Sequence, residues 1–101
     1  MKQILVEAYS VASNFAIVKL PQRQFPGMVI QGDSLAILVA RADAIRSLAL
    51  KIGDESLIAE AKELFEDLRE RQTFYERILG ENGIGLPYVK QGAIPPEADG
   101  Q

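Results

Sequence analysis

A chain of 101 residues and 11.1 kDa has room for one domain around one hydrophobic core. It lacks histidine, cysteine and tryptophan, which removes thiol nucleophiles, disulfides, Cys/His zinc sites and the side chain that most often carries protons near neutral pH. A net charge of −3 and a pI near 4.9 leave no global basic surface to neutralise phosphates, so nucleic acid is not an expected partner.

At the N-terminus one lysine and the short run Ile4–Val6 precede Glu7, which is no signal peptide. The longest apolar stretches, Ile4–Val6, Phe15–Val18 and Leu35–Ala40, fall far short of the ~20 residues that span a bilayer. The expected location is the cytoplasm, away from membranes. Ile4 to Tyr9 reads as a first strand, Ser10 to Asn14 as a turn, and Phe15 to Leu20 as a second strand. Alternation sets Ala16, Val18 and Leu20 on one face of it and Phe15, Ile17 and Lys19 on the other. Pro21 ends that strand, because it has no N–H for a ladder. Pro21 to Gly27 is a loop and Met28 to Gln31 a third strand. Connections this short call for antiparallel pairing.

At Gly32 the apolar period changes from 2 to 3.6. Asp33 or Ser34 offers an N-cap oxygen, and Leu35, Leu38, Ala42, Ile45, Leu48, Ala49 and Ile52 form one stripe, with Arg41 and Arg46 away from its centre. Gly53 ends this first helix and Asp54 caps a second, whose apolar face is Leu57, Ile58, Ala61, Leu64, Phe65, Leu68, Tyr75, Ile78 and Leu79. Asp67 and Arg71 are spaced as a favourable pair. Gly80 or Gly83 ends the second helix, with Pro87 beyond. Residues 91–101, with Pro95-Pro96 and two glycines, read as a disordered tail. The expected fold is α+β, a three-stranded antiparallel sheet followed by an antiparallel helix pair packed on one face, in a single domain over residues 1–90. The second helix is the longer, so Thr73 to Leu79 should overhang. Phe74, Tyr75, Ile78 and Leu79 then need cover from the Gln22–Phe25 loop, from Ile84–Val89, or from a second copy in a homodimer.

Asn14 to Leu35 carries a resemblance. Asn14, Ala16, Val18, Lys19, Leu20 and Pro21, then Arg23, Phe25, Pro26, Gly27, Val29, Gln31, Gly32, Asp33, Ser34 and Leu35, match the pattern of a small uncharacterised bacterial family. Gly83-Ile84 and Leu86-Pro87-Tyr88 fit it too. The resemblance implies bacterial origin and a shared fold, with no activity attached. The family pattern has a glycine and a second arginine where this chain has Gln22 and Gln24, which argues against a strongly basic anion-binding loop here.

Gly32-Asp33-Ser34-Leu35 also resembles the nucleophile block of the GDSL esterases and lipases. A serine on a strand-to-helix turn is well placed to attack an ester. The chain has no histidine to take its proton, and Lys51 sits about 25 Å along the same helix. The motif therefore reads as a helix start, with no catalytic residue, metal site or cofactor expected.

The loop at 21–27 has two readings: Arg23 and Phe25 grip an anion or a protein groove, or Phe25 folds onto the core. Segment 54–80 carries eight acids against four bases. Its stripe of Glu60, Glu63, Asp67 and Glu70 reads as a solvated face. The expectation is a non-enzymatic interaction module that binds a protein partner, such as an immunity-type target, or itself. The surfaces in view are Arg23 and Phe25, the Gly32, Asp33 and Ser34 turn, and Tyr75. The alternative is a small-molecule sensor in which Arg23 and the start of the first helix hold an anion.

Overall fold

The structure, a computed structural model, describes residues 1–10 and 15–90. The turn residues 11–14, including Asn14, and the expected tail at 91–101 lie outside the described residues. Three strands, β1 (Glu7–Ala8), β2 (Phe15–Lys19) and β3 (Gly27–Ile30), precede two helices, α1 (Gly32–Ile52) and α2 (Glu55–Glu81). The sheet is an antiparallel meander in the order β1-β2-β3, and the helices form an antiparallel hairpin.

The first strand is shorter than the expected Ile4–Tyr9. Glu7 pairs with Lys19, so the next rung back would set Val6 against Leu20 and then Leu5 against Pro21. Proline has no amide to give, and the ladder stops. Ile4 and Leu5 are left exposed. At the other end of β1 the Tyr9 and Ser10 amides both donate to the Ile17 carbonyl, at 2.8 and 3.4 Å. Two residues thus face one, the arrangement of a β-bulge. Ser10 Oγ completes it by accepting from the Ile17 amide at 2.9 Å. In β2 and β3, Phe15 pairs with Ile30 and Ile17 with Met28. Side chains directly opposite share a face, so Phe15, Ile17, Met28 and Ile30 lie together, in agreement with the expected alternation.

The helix pair is ordered by its seam. Gly32, Leu35, Val39, Ala42 and Ala49 are the buried residues of α1, and half-buried Arg46 completes steps of three and four. In α2, Ile58, Ala61, Phe65, Leu68, Gln72, Tyr75 and Leu79 repeat those steps, with Ala61 and Gln72 buried and the others half-buried. This is the heptad spacing by which two helices mesh. Tyr75 lies against Gly32, and that contact sets the register of the hairpin. Counting from it toward the turn places Ala42 at the level of Phe65 and Ala49 at the level of Ile58. Small residues of α1 therefore meet large ones of α2, which lets the helices approach closely.

Two expectations for α1 change here. The single stripe resolves into two. Leu35, Ala42 and Ala49 belong to the seam, while Leu38, Ile45, Leu48 and Ile52 are 40–69% exposed on a neighbouring face. Arg46, expected away from the centre, lies in the seam with its guanidinium 5.0 Å from the Phe65 ring centre and 2.6 Å from Asp43. A long side chain can cover apolar surface while its head pairs at the edge.

The connections follow local chemistry. Gly53 is left-handed at φ 82° and donates to the Ala49 carbonyl, a conformation that only glycine adopts without strain. Asp54 caps α2 by accepting from the Leu57 amide at 2.9 Å. At the far end, Ile84 donates to Leu79 and Gly83 to Gly80, with Gly83 at φ 67°. That is a Schellman motif, and it turns the chain back along α2. Arg71 donates to the Asp67 backbone carbonyl at 2.7 Å rather than to its carboxylate.

Candidate functional site

The sequence-identified residues fall at two ends of β3. Gly32, Asp33 and Ser34 form the first turn of α1. The N-cap is Gln31, extended and without a side-chain cap bond, so neither Asp33 nor Ser34 is the cap and the helix begins earlier than expected. The reason is a contact from far along the chain. A Cβ on residue 32 would overlap the Cζ and hydroxyl of Tyr75, and only glycine brings the helix start that close to the ring. Asp33 still serves the free amides of the first turn: its Oδ1 accepts from the Ser34 amide at 2.8 Å. Gly32, Asp33, Ser34 and Tyr75 are therefore neighbours.

Arg23 and Phe25 lie on the β2–β3 connection, at the opposite end of β3 and about 13 Å away along the strand. The Arg23 amide closes a turn onto Leu20. Phe25 is 73% exposed, so it does not fold onto the core. The acidic stripe Glu60, Glu63, Asp67 and Glu70 is exposed along α2. Among the described residues no group of three acidic side chains is placed to hold a metal ion.

Ser34 opens onto a groove of about 480 Å³ lined by Phe15, Met28 and Ile30 of the sheet and by Ser34, Ile37, Leu38 and Arg41 of α1. The Phe15 and Met28 face of the sheet borders this groove beside the head of α1, and all of β3 stays exposed rather than covered by the helix pair. Arg41 is the one ionisable group among these lining residues. A guanidinium stays protonated, so no group lining the groove can take a proton from Ser34. Among the described residues, no helix is both long and apolar enough to cross a membrane.

The groove continues into a larger apolar face. Arg46 and Leu50 of α1 and Ile58, Lys62, Phe65 and Glu66 of α2 line a small hollow of about 130 Å³ on one flank of the hairpin. The opposite flank presents Leu38, Ile45, Leu48 and Ile52 of α1 together with Leu57 and Leu64 of α2, exposed by 39–69%. Arg41 interrupts the α1 row, and Glu60 and Asp67 edge the α2 side. Sequence reasoning placed all six apolar residues in the core. The signal that separates them is the second set of three-and-four steps running 38, 41, 45, 48, 52.

A polar cluster that the sequence did not announce locks the returning segment onto α2. Gln72 is buried and accepts from Arg69 Nη1 at 2.5 Å. The Glu76 side chain is also buried, 4.0 Å from Arg69 Nη1, and accepts from the Tyr88 hydroxyl at 3.0 Å. Tyr88 thus ties the returning segment to α2 while Ile84 and Val89 stay exposed, and Tyr75, expected on an overhang, sits in the seam against Gly32. Phe74 remains exposed under the Arg77 guanidinium.

Burial holds the Tyr88 phenol above its ordinary value of 10.0, the bond to Glu76 adds to this, and the Gln72 amide opposes it. A raised folded-state value means the contact stabilises fully below pH ~10 and is lost as pH rises through the folded pKa. Tyrosinate absorbance should show late-titrating phenols, one of which disappears in Tyr88→Phe. An unchanged late component would remove the assigned contact. Tyr9, bonded to Glu7, is raised too and provides the residual late signal.

No curated protein and no solved structure matches the chain. One family model does, across residues 1–88. That span takes in the sheet, both helices and the Tyr88 return, and the chain belongs to this family of unknown function, DUF6959.

Proposed function

We propose that this domain is a non-enzymatic interaction module of the bacterial cytoplasm, working through the apolar flank of its helix hairpin and the adjoining groove. One observation carries the reading. The buried apolar side chains among the described residues are Leu35, Val39, Ala42, Ala49 and Ala61, while larger ones stand exposed side by side on one flank. At these exposures the six flank residues and Phe15, Met28, Ile30 and Ile37 leave roughly 1,000 Å² accessible, beyond the ~300–600 Å² of a monomer's largest apolar patch. Arg23 and Phe25 at the hairpin tip form a separate exposed prong. The chemistry of an immunity-type target, a basic protein surface, would suit the acidic stripe of α2 instead.

The anion-sensor alternative has less support. Arg23 and the head of α1 lie at opposite ends of β3, and the Asp33 carboxylate already occupies a first-turn amide.

A photo-crosslinking residue at position 48, compared with one at position 63 on the acidic stripe, tests the module in the native cell. Adduct formation with protein at 48 and little at 63 is the expected result. Equal labelling at both positions, or none at 48, overturns the reading.

A further inference from the structure

We infer that the occupant of this flank is a second copy of the chain, docked two-fold along α1; this rests on the flank being an interface.

The first argument is spacing. The row 38, 41, 45, 48, 52 of α1 advances in the same three-and-four steps as the seam with α2. A helix with two such rows on adjacent faces is built to lie between two helical neighbours, as in a four-helix bundle. One neighbour is α2. The structure offers α1 itself as a helix with an uncovered row of matching length.

The second argument is area. The six flank residues alone offer roughly 600 Å², less than the ~800 Å² per partner of a stable interface. With Phe15, Met28, Ile30 and Ile37 at the groove the supply reaches roughly 1,000 Å², enough for such an interface. The groove edge is therefore part of the contact.

The third argument is charge. Arg41 stands within the apolar row and has no ion pair among the described residues. A two-fold axis passing at Ile45 sets Leu38 against the partner's Ile52. Both copies' α2 then lie on one side of the α1 pair, and Arg41, on the edge of the row away from α2, falls on the other side. The one charge in the row thus stays at the solvated rim in both copies, outside the apolar centre of the contact.

The chain has no cysteine, so an introduced one reports without background. Size-exclusion with light scattering should give twice the 11.1 kDa chain mass. Ile45→Cys should oxidise to a disulfide-linked dimer while Glu63→Cys should not. Leu48→Lys should run at monomer mass with its helical circular dichroism retained. A chain that stays monomeric at every accessible concentration overturns the inference. If the position-48 probe then still captures another protein, the interaction module survives with a different occupant; if it captures nothing, both readings fall. A dimer in which Ile45→Cys fails to link, or Glu63→Cys links as fast, uses another face and also overturns the inference.

Discussion

Gly32→Ala is expected to destabilise the protein by about 2 kcal/mol, lowering its Tm by roughly 10 °C. Helix propensity alone argues the other way, since glycine to alanine inside a helix ordinarily stabilises by up to about 1 kcal/mol. Gly32 is not among the described glycines with positive φ, so backbone strain gives no reason to resist the change. What resists it is Tyr75, whose ring occupies the space a Cβ needs. The sign of the effect therefore tests the contact: a stabilised variant would mean that the ring stands elsewhere. Tyr75→Ala should cost stability on its own by opening a cavity. The double variant should cost less than the sum, because residues in contact do not add. Thermal unfolding of the four proteins completes the cycle.

That contact also shows what a sequence conceals. The helix ends at Gly53 and Asp54 were legible, because a left-handed glycine or a capping carboxylate acts on its own neighbourhood, and of the two glycines offered for the end of α2 the helix passes Gly80 and turns at Gly83. The start of α1 was not. Asp33 and Ser34 have the right cap chemistry, but the helix begins ahead of them because a side chain of the other helix fits only against glycine. The strand faces were legible from alternation, whereas the end of β1 depended on what Pro21 denies to the partner strand.

The apolar row of α1 was visible only in part, since Val39, its most buried large side chain, was not in the expected stripe, and the division of the row was not visible at all. One continuous stripe looks like one buried face until a register with α2 assigns Leu35 and Ala42 inward and Leu38 and Leu48 outward. Phe25 makes the same point at the hairpin tip: its type predicts burial or display equally well, and the fold leaves it exposed. The polar cluster of Arg69, Gln72, Glu76 and Tyr88 needed the Schellman turn to bring two distant segments together.

The division of that row has a measurable consequence in two chemically identical substitutions. Leu35 is 8% exposed and Leu48 is 56% exposed, so truncating each to alanine removes the same atoms from different surroundings. Leu35→Ala should cost about 2–4 kcal/mol, the transfer term plus a cavity in the seam. The seam has little to fill that cavity with, because the buried positions beside it in α1 are Gly32, Val39 and Ala42. In dilute solution Leu48→Ala should stay within about 0.5 kcal/mol. If a second copy covers the flank, the midpoint for the parent chain rises with protein concentration, and the Leu48→Ala cost grows with it while the Leu35→Ala cost shows no such growth. Denaturant titrations at several concentrations separate the two, with the slope m checking that both variants still unfold from the same compact state. A Leu48→Ala cost equal to that of Leu35→Ala in dilute solution would mean that the single chain already covers its flank, and the two-row reading of α1 would be wrong.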